Sequence, residues 1–310
     1  MEDLLSMKKL PAVEVLQDIA IELGVNPAFV EKDWFAVLVL EHISTIAFLQ
    51  IVFTGGTSLS KGYGLIKRFS EDLDFRICTS PNLNKSQRKS MRSRLISEIS
   101  RIKGISVLEN SVESHNASKF FSFNVEYPQR YNPVDALRPY LKLEFSFEEI
   151  VINPELKSIQ SFVSQFTSAN ETDCMIKTIS PIEIAANKFS ALLWRVNIKD
   201  RSAAIGSPQN DPTIVRHLHD LCALEKLVLE SKRFKPLVAA SFEVDRGRAG
   251  SEKGKTEASM SKETLSKLKS DSIYKVEYTR FVDAMSYAKE DEMITFEKSI
   301  QSFERIVALF

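Results

Sequence analysis

Two aspartates one residue apart, Asp72 and Asp74, close the stretch FTGGTSLSKGYGLIKRFSEDLDF at 53–75. Side chains alternate faces along a β-strand, so the two carboxylates point the same way while Leu73 and Phe75 point into a core. Paired carboxylates at that spacing suit Mg²⁺ or Mn²⁺, hard ions that take oxygen ligands and clamp the attacking and leaving oxygens of a displacement. Glu144, on the polar side of the alternating run YLKLEFSFE (140–148), is the candidate third metal ligand. An acidic doublet also makes the solvated face of an edge strand, so the residues before it matter. Four of the chain's 10 glycines lie in this stretch. Gly55 and Gly56 follow a short apolar run and let backbone N–H groups approach a phosphate with no Cβ in the way. Ser58 and Ser60 add hydroxyls, and Lys61 and Arg68 add positive charge beside a triphosphate. Each taken alone fits a turn with a helix cap. Taken together, on strand–turn–helix–strand, they point to metal-dependent transfer of a nucleotide from its triphosphate.

The elements that must carry these groups are legible in outline. Apolar residues recur every three or four positions over 12–24 and stop at Gly24, which predicts a helix. Asn26-Pro27 reads as a cap and first helical proline for a second helix through about His42. FLQIVFT (48–54) reads as a buried strand running into the glycines. A basic helix over 86–102 puts Met91, Leu95, Ile99 and Ile102 on one face, and strand-like segments follow at 105–109, 119–127 and 139–147. Ser180-Pro181-Ile182-Glu183 reads as a capping box. Asp211-Pro212 opens another helix through about Glu230, 243–263 reads as an exposed loop, and the tail from about 273 reads as helical. The expected fold is α/β: a mixed sheet with N-terminal helices over 1–178, carrying Asp72, Asp74 and Glu144, then a helical lobe over 179–310, with the active site between.

Composition narrows the classes. The chain has 310 residues, 44% hydrophobic and 26% charged, with 41 basic residues against 41 acidic ones. A global field therefore cannot recruit nucleic acid, and any basic surface must be local. Such a surface exists between Lys85 and Lys103, where seven basic residues face one acid, Glu98. Arg88, Arg92 and Arg94 flank the apolar face there, as an RNA-tracking surface would, though a solvated helix face explains the same run. No apolar run approaches the ~18 residues of a membrane span. The sequence MEDLLSMKKLPAVEV has no secretory pattern, and the scattered Cys78, Cys174 and Cys222 fit a reducing cytoplasm.

GGTSLSKGYGLIKRFSEDLDF resembles the signature of the AbiEii-type toxins, DNA polymerase beta-like nucleotidyltransferases related to the MenT tRNA nucleotidyltransferase toxins. EKDWFAVLVL (31–40), YLKLEFSF (140–147), NKFSALLWR (187–195) and RHLHDLCAL (216–224) resemble the same family. The resemblance implies that Asp72 and Asp74 are the carboxylate pair, Ser58 the loop serine, Lys188 the helix lysine and Asp220 the later aspartate. Where the family often has Arg-Asp-x-x-Asp-Leu, this chain has His217 in place of the first acid. The resemblance further implies an NTP as substrate, the 3′ end of tRNA as acceptor, a block of translation and growth, an antitoxin encoded nearby, and room for phosphorylation of Ser58.

Physically, Lys188 and Arg195 are seven apart and share a helix stripe, so both are candidates for the triphosphate. Arg216 and Asp220, four apart, suit an intrahelical ion pair. His217 and His219 do not face each other on a helix, which disfavours a zinc site. AGSEKGKT (249–256) fits a loosened Walker A pattern, but SFEVDRGR before it is too polar for the buried strand that a P-loop follows. Two alternatives remain in view: a catalytically silent nucleotide-binding protein, and a P-loop ATPase using this loop.

Overall fold

The computed structural model describes residues 10–78, 83–132, 134–135, 137–167, 173–246 and 254–310. It divides into two compact units, one of residues 1–64 and 69–179, the other of 65–68 and 180–310.

The first unit begins with α1 (Val13–Leu23), which ends at Gly24 in the left-handed region, and α2 (Pro27–Ser44), whose cap Asn26 accepts from the Ala28 N–H. Then come β1 (Gln50–Thr54), α3 (Gly55–Lys61), β2 (Asp72–Cys78), α4 (Lys85–Ile99), β3 (Ser106–Val107), β4 (Glu113–His115), β5 (Phe120–Glu126), β6 (Leu141–Ser146), β7 (Glu155–Ile159), α5 (Phe162–Thr167) and β8 (Cys174–Thr178). The strands form one mixed sheet in the order β3-β5-β6-β2-β1-β8-β7, with β4 paired to β5. β1–β8 and β2–β6 are parallel, and the remaining pairs are antiparallel. Ile51, Val52 and Phe53 are all buried, as expected for a central strand covered on both faces. Beneath the sheet, Phe53, Phe75, Phe145, Phe121 and Phe123 form a continuous aromatic stack, with Phe145 4.9 Å from Phe75 and 5.0 Å from Phe121.

The second unit is built round α6 (Pro181–Asn197). It continues with α7 (Val215–Ala223), α8 (Glu225–Glu230), α9 (Phe234–Arg246), α10 (Glu257–Ser270), α11 (Ile273–Phe281) and α12 (Phe296–Val307). α6 packs on α7, α9 and α10, and Phe189 at its middle meets Phe234, Phe303 and Phe310.

Several expectations are corrected. Pro181 opens α6, but Ser180 makes no side-chain cap bond, so the capping box is not formed. The helix expected over 211–230 is a short 3₁₀ turn followed by α7 and α8, broken at Leu224. Of the loop expected over 243–263, residues 243–246 end α9 and 257–263 belong to α10, while 247–253, with most of AGSEKGKT, lie outside the described residues. Lys255 pairs with Glu263 at 2.6 Å, Thr256 caps α10, and the segment before the stretch is helix rather than strand. The tail is only partly helical, with 3₁₀ turns at 283–285 and 290–292 between α11 and α12. β7 and β8 went unread in the sequence.

Phe145 has no exposed surface. Phe145→Ala is expected to cost about 3–5 kcal/mol, read as a lowered denaturant midpoint. Leu156→Ala, at a side chain 60% exposed on β7, is expected to stay within about 0.5 kcal/mol. Equal effects of the two would contradict this account of the core.

Candidate active site

One face of the sheet is aromatic and the other is charged. Asp72 and Asp74 alternate with buried Leu73 and Phe75 along β2, and Lys142 and Glu144 alternate with Leu141, Leu143 and Phe145 along β6. In the parallel β2–β6 pair Asp72 lies opposite Lys142, and Asp74 opposite Glu144. Strand neighbours in register share a face, so all three expected carboxylates stand on the charged one. On the far side of β2, Thr54 is in register with Asp74, and the chain turns there directly into α3. Gly55 makes that turn with φ +77°, and a Cβ placed on it would lie 1.9 Å from Asp74 Oδ2. Only glycine leaves room for this carboxylate. Thr57 Oγ1, one turn on, donates to the Asp72 carbonyl at 2.6 Å and fixes the start of β2.

Behind Asp72 lies a charge network that sequence reasoning missed. Glu71 is buried, and its carboxylate accepts Lys32 Nζ at 2.7 Å, the Arg138 backbone N–H at 2.6 Å and Arg138 Nε at 3.3 Å. Lys32 also donates to the Arg138 carbonyl at 2.8 Å. The far end of the same guanidinium reaches Asp72 Oδ1 at 2.6 Å. Burial alone would raise the Glu71 carboxyl, but Lys32 and Arg138 outweigh it and hold the pKa below the usual carboxylate value. Glu144 pairs with Lys142 at 2.5 Å. One signal was available in the sequence: Glu31-Lys32-Asp33 is a charged triplet within an otherwise apolar helix, and buried charges require partners.

The expected phosphate-binding groups are placed differently. Ser58 is buried and donates to the Gly55 carbonyl at 2.9 Å, so its hydroxyl closes the first turn of α3 and is not presented to a ligand or a modifying group. Gly56 is buried in the same turn. Lys61, expected beside a triphosphate, is buried against Asp33 at 2.5 Å, with Phe162 beneath it at 3.7 Å. Arg88, expected on an RNA surface, is buried too; it donates to the Leu83 carbonyl and, at 2.9–3.1 Å, to that of Ala117, whose φ is +53°. It braces a strained turn. Arg94 is exposed over Phe48, at 3.7 Å, and Arg92 is half-buried.

The helical unit gathers a second charged cluster. Asp220 on α7 is fully buried and accepts Arg68 Nε at 2.9 Å, Arg68 Nη2 at 2.7 Å and Lys188 Nζ at 2.9 Å. Lys188 and Asp220 are therefore partners, and Arg68, expected on the triphosphate, is instead buried as their third member. His219 Nδ1 lies 3.0 Å from Asp220 Oδ1. Burial opposes the charged Asp220, yet Arg68 and Lys188 hold its carboxyl well below the usual range. Burial pushes the His219 imidazole down, and it pushes His217 down further, with Lys188 adding to the effect. Arg195 lies over the Trp194 ring at 4.7 Å and pairs with Asp211 at 3.8 Å.

The carboxylate face fits a hard divalent cation in donor type, with three carboxylates, Asp72, Asp74 and Glu144, on it. Among the described residues no three His, Cys, Asp or Glu side chains are already gathered as a metal cluster. Asp72 and Glu144 carry cationic side chains instead.

The family model described as nucleotidyl transferase AbiEii toxin, type IV toxin–antitoxin system, matches residues 39–308. No curated protein matches the chain. Among solved structures, the chain is similar to MenT4, a nucleotidyltransferase toxin from Mycobacterium tuberculosis H37Rv, with 16% identity, 95% of this chain and 98% of that one covered, and a TM-score of 0.49.

Two outcomes test these geometries. Gly55→Ala is expected to strain the backbone and displace the Asp74 carboxylate, costing at least about 1 kcal/mol, whereas Gly24→Ala, with nothing within 4 Å of the added Cβ, bears only its backbone strain. A denaturant series comparing the two is the check. Acid should weaken the helical unit in two stages. His219 has a lowered folded pKa, so its contribution is present above about pH 6.5 and lost as the pH falls below that. Asp220, also lowered, contributes above about pH 4 and loses that contribution in stronger acid. His219→Gln should shrink the upper stage without abolishing it, since buried His217, lowered further still, contributes to the same stage, in a plot of stability against pH.

Proposed function

The chain belongs to the family of AbiEii nucleotidyltransferase toxins of type IV toxin–antitoxin systems, and from that membership we propose that it moves a nucleoside monophosphate from an NTP to the 3′ end of tRNA, blocking translation and growth. The observation that carries the reading is the charged sheet face: Asp72 and Asp74 on one strand, Glu144 in register with Asp74 on the next, and a glycine pressed against Asp74.

In the reaction, an acceptor hydroxyl attacks the α-phosphorus; the bond to the bridging oxygen breaks, and pyrophosphate leaves. Because phosphoryl transfer depends mainly on positioning and charge neutralisation, rigid presentation of the carboxylates is the main task of this chain. A Mg²⁺ or Mn²⁺ ion, when bound, supplies neutralisation of the phosphate oxygens. Asp72, Asp74 and Glu144 would hold it. Thr57 and Glu71 keep Asp72 at the strand start, and Gly55 leaves the room that the Asp74 carboxylate occupies. Lys188, held by Asp220, is the proposed cation for the triphosphate on the strength of the family resemblance, and Asp220 orients it. The acceptor surface is proposed on α4, through Arg92 and Arg94 and without Arg88. The partner antitoxin is expected from the family; no helix among the described residues is long and apolar enough to cross a membrane.

The test is incubation with each α-labelled NTP, total RNA and total protein, with the labelled species resolved on a gel. Label should enter tRNA with the parent chain. Asp72→Asn and Asp74→Asn should each lower it by at least about 100-fold with the circular dichroism unchanged, and should relieve growth arrest. The Arg92→Glu, Arg94→Glu variant should label tRNA poorly, most visibly between about 50 and 200 mM salt. Undiminished labelling in either aspartate variant would overturn the reading, and label on protein would overturn the acceptor.

A further inference from the structure

Both carboxylates that flank Asp74 carry a resident cation. Asp72 Oδ1 accepts Arg138 Nη2 at 2.6 Å, and Glu144 Oε1 lies 2.5 Å from Lys142 Nζ. The cationic side chains are 32% and 31% exposed, so both water and a ligand can reach them. Their anchoring is specific. Arg138 is held from behind through its backbone N–H and Nε on Glu71, while Lys142 stands between its strand neighbour Glu144 and its register partner Asp72. A guanidinium and an ammonium, each paired with a carboxylate, both carry their charge at neutral pH.

Charge then decides what this face can bind. A divalent cation arriving alone meets two positive side chains already paired with the oxygens it needs. A triphosphate arriving alone meets two cations already paired with carboxylates. When the two arrive together, the cation takes the carboxylates and the released side chains face the phosphates, so neither ligand meets uncompensated like charge. Resting on the nucleotidyltransferase reading above, we propose that Arg138 and Lys142 are exchangeable counter-cations that couple metal binding to triphosphate binding at this face. Coupling between two ligands is reciprocal and ordinarily amounts to about 5- to 150-fold in affinity.

The test uses the full chain in two arms: Mn²⁺ alone, followed by electron paramagnetic resonance of the free ion, and inorganic tripolyphosphate alone, by calorimetry in excess chelator. Lys142→Gln and Arg138→Gln should each bind Mn²⁺ at least about fivefold more tightly than the parent and tripolyphosphate correspondingly more weakly. These opposite signs are the signature, because a merely structural role would weaken both arms together. Arg138→Gln also strips a partner from buried Glu71; if it does not fold, Lys142→Gln, which takes no partner from Glu71, carries the test alone. Asp74→Asn separates the two readings. If Mn²⁺ binding depends on Asp74 but both affinities are unchanged or move together in Lys142→Gln, the coupling is overturned while the metal site stands. If Mn²⁺ binding ignores Asp74 in parent and variant alike, the metal reading fails and the coupling with it.

Discussion

Glu71 is 3% exposed, and the first unit's charged face depends on how that single buried anion is satisfied. Its carboxylate takes an ammonium from α2, a backbone N–H from the segment before β6 and a guanidinium from the same residue. A buried carboxylate without such partners would cost several kcal/mol or protonate. These three bonds tie α2 and the lead-in to β6 to the residue that precedes Asp72. Asp72 is therefore placed by a charge contact next to it in the chain, before any ligand is considered.

The same device recurs along α2. Consecutive helical residues point about 100° apart, so Glu31, Lys32 and Asp33 leave the helix in three directions. Glu31 accepts the backbone N–H groups of Arg130 and Tyr131, Lys32 meets Glu71, and Asp33 takes Lys61 and the Phe162 N–H. One turn of helix thus holds four otherwise separate segments, at 61, 71, 130–131 and 162. In the helical unit, Asp220 plays the matching part, with Arg68 and Lys188 around one buried carboxylate. Removing Lys32 from the first cluster, or Asp220 from the second, leaves buried charge uncompensated, which is more costly than losing an exposed pair.

The sheet divides its labour by face. The stacked phenylalanines fill one side and fix the register of β1, β2, β5 and β6, since a one-residue slip would turn the aromatic set outward. That register is what brings Glu144 opposite Asp74. Packing on one face thereby sets the spacing of the carboxylates on the other. The glycine at the β1–α3 turn completes the arrangement by bringing backbone, with no side chain, against Asp74.

Much of this was written locally. Gly24 and Asn26-Pro27 mark their helix ends because capping and left-handed backbone are properties of a few neighbouring residues. The two-residue period put Asp72 and Asp74 on one face, and Glu144 on the polar face of its own strand. Ser180, by contrast, has the residue types of a capping box and does not make its bond. The fates of the charged residues were not legible. Lys61, Arg68 and Arg88 read as exposed cations beside a ligand, and all three are buried on partners 28, 152 and 29 residues away. Arg138 and Lys142 gave no warning that they neutralise Asp72 and Glu144. Sequence determined which residues alternate and where helices start, since those depend on torsions and on neighbours within a turn. Tertiary structure decided which charge meets which, because an ion pair forms wherever folding removes two opposite charges from water together, at a separation along the chain that no local pattern records.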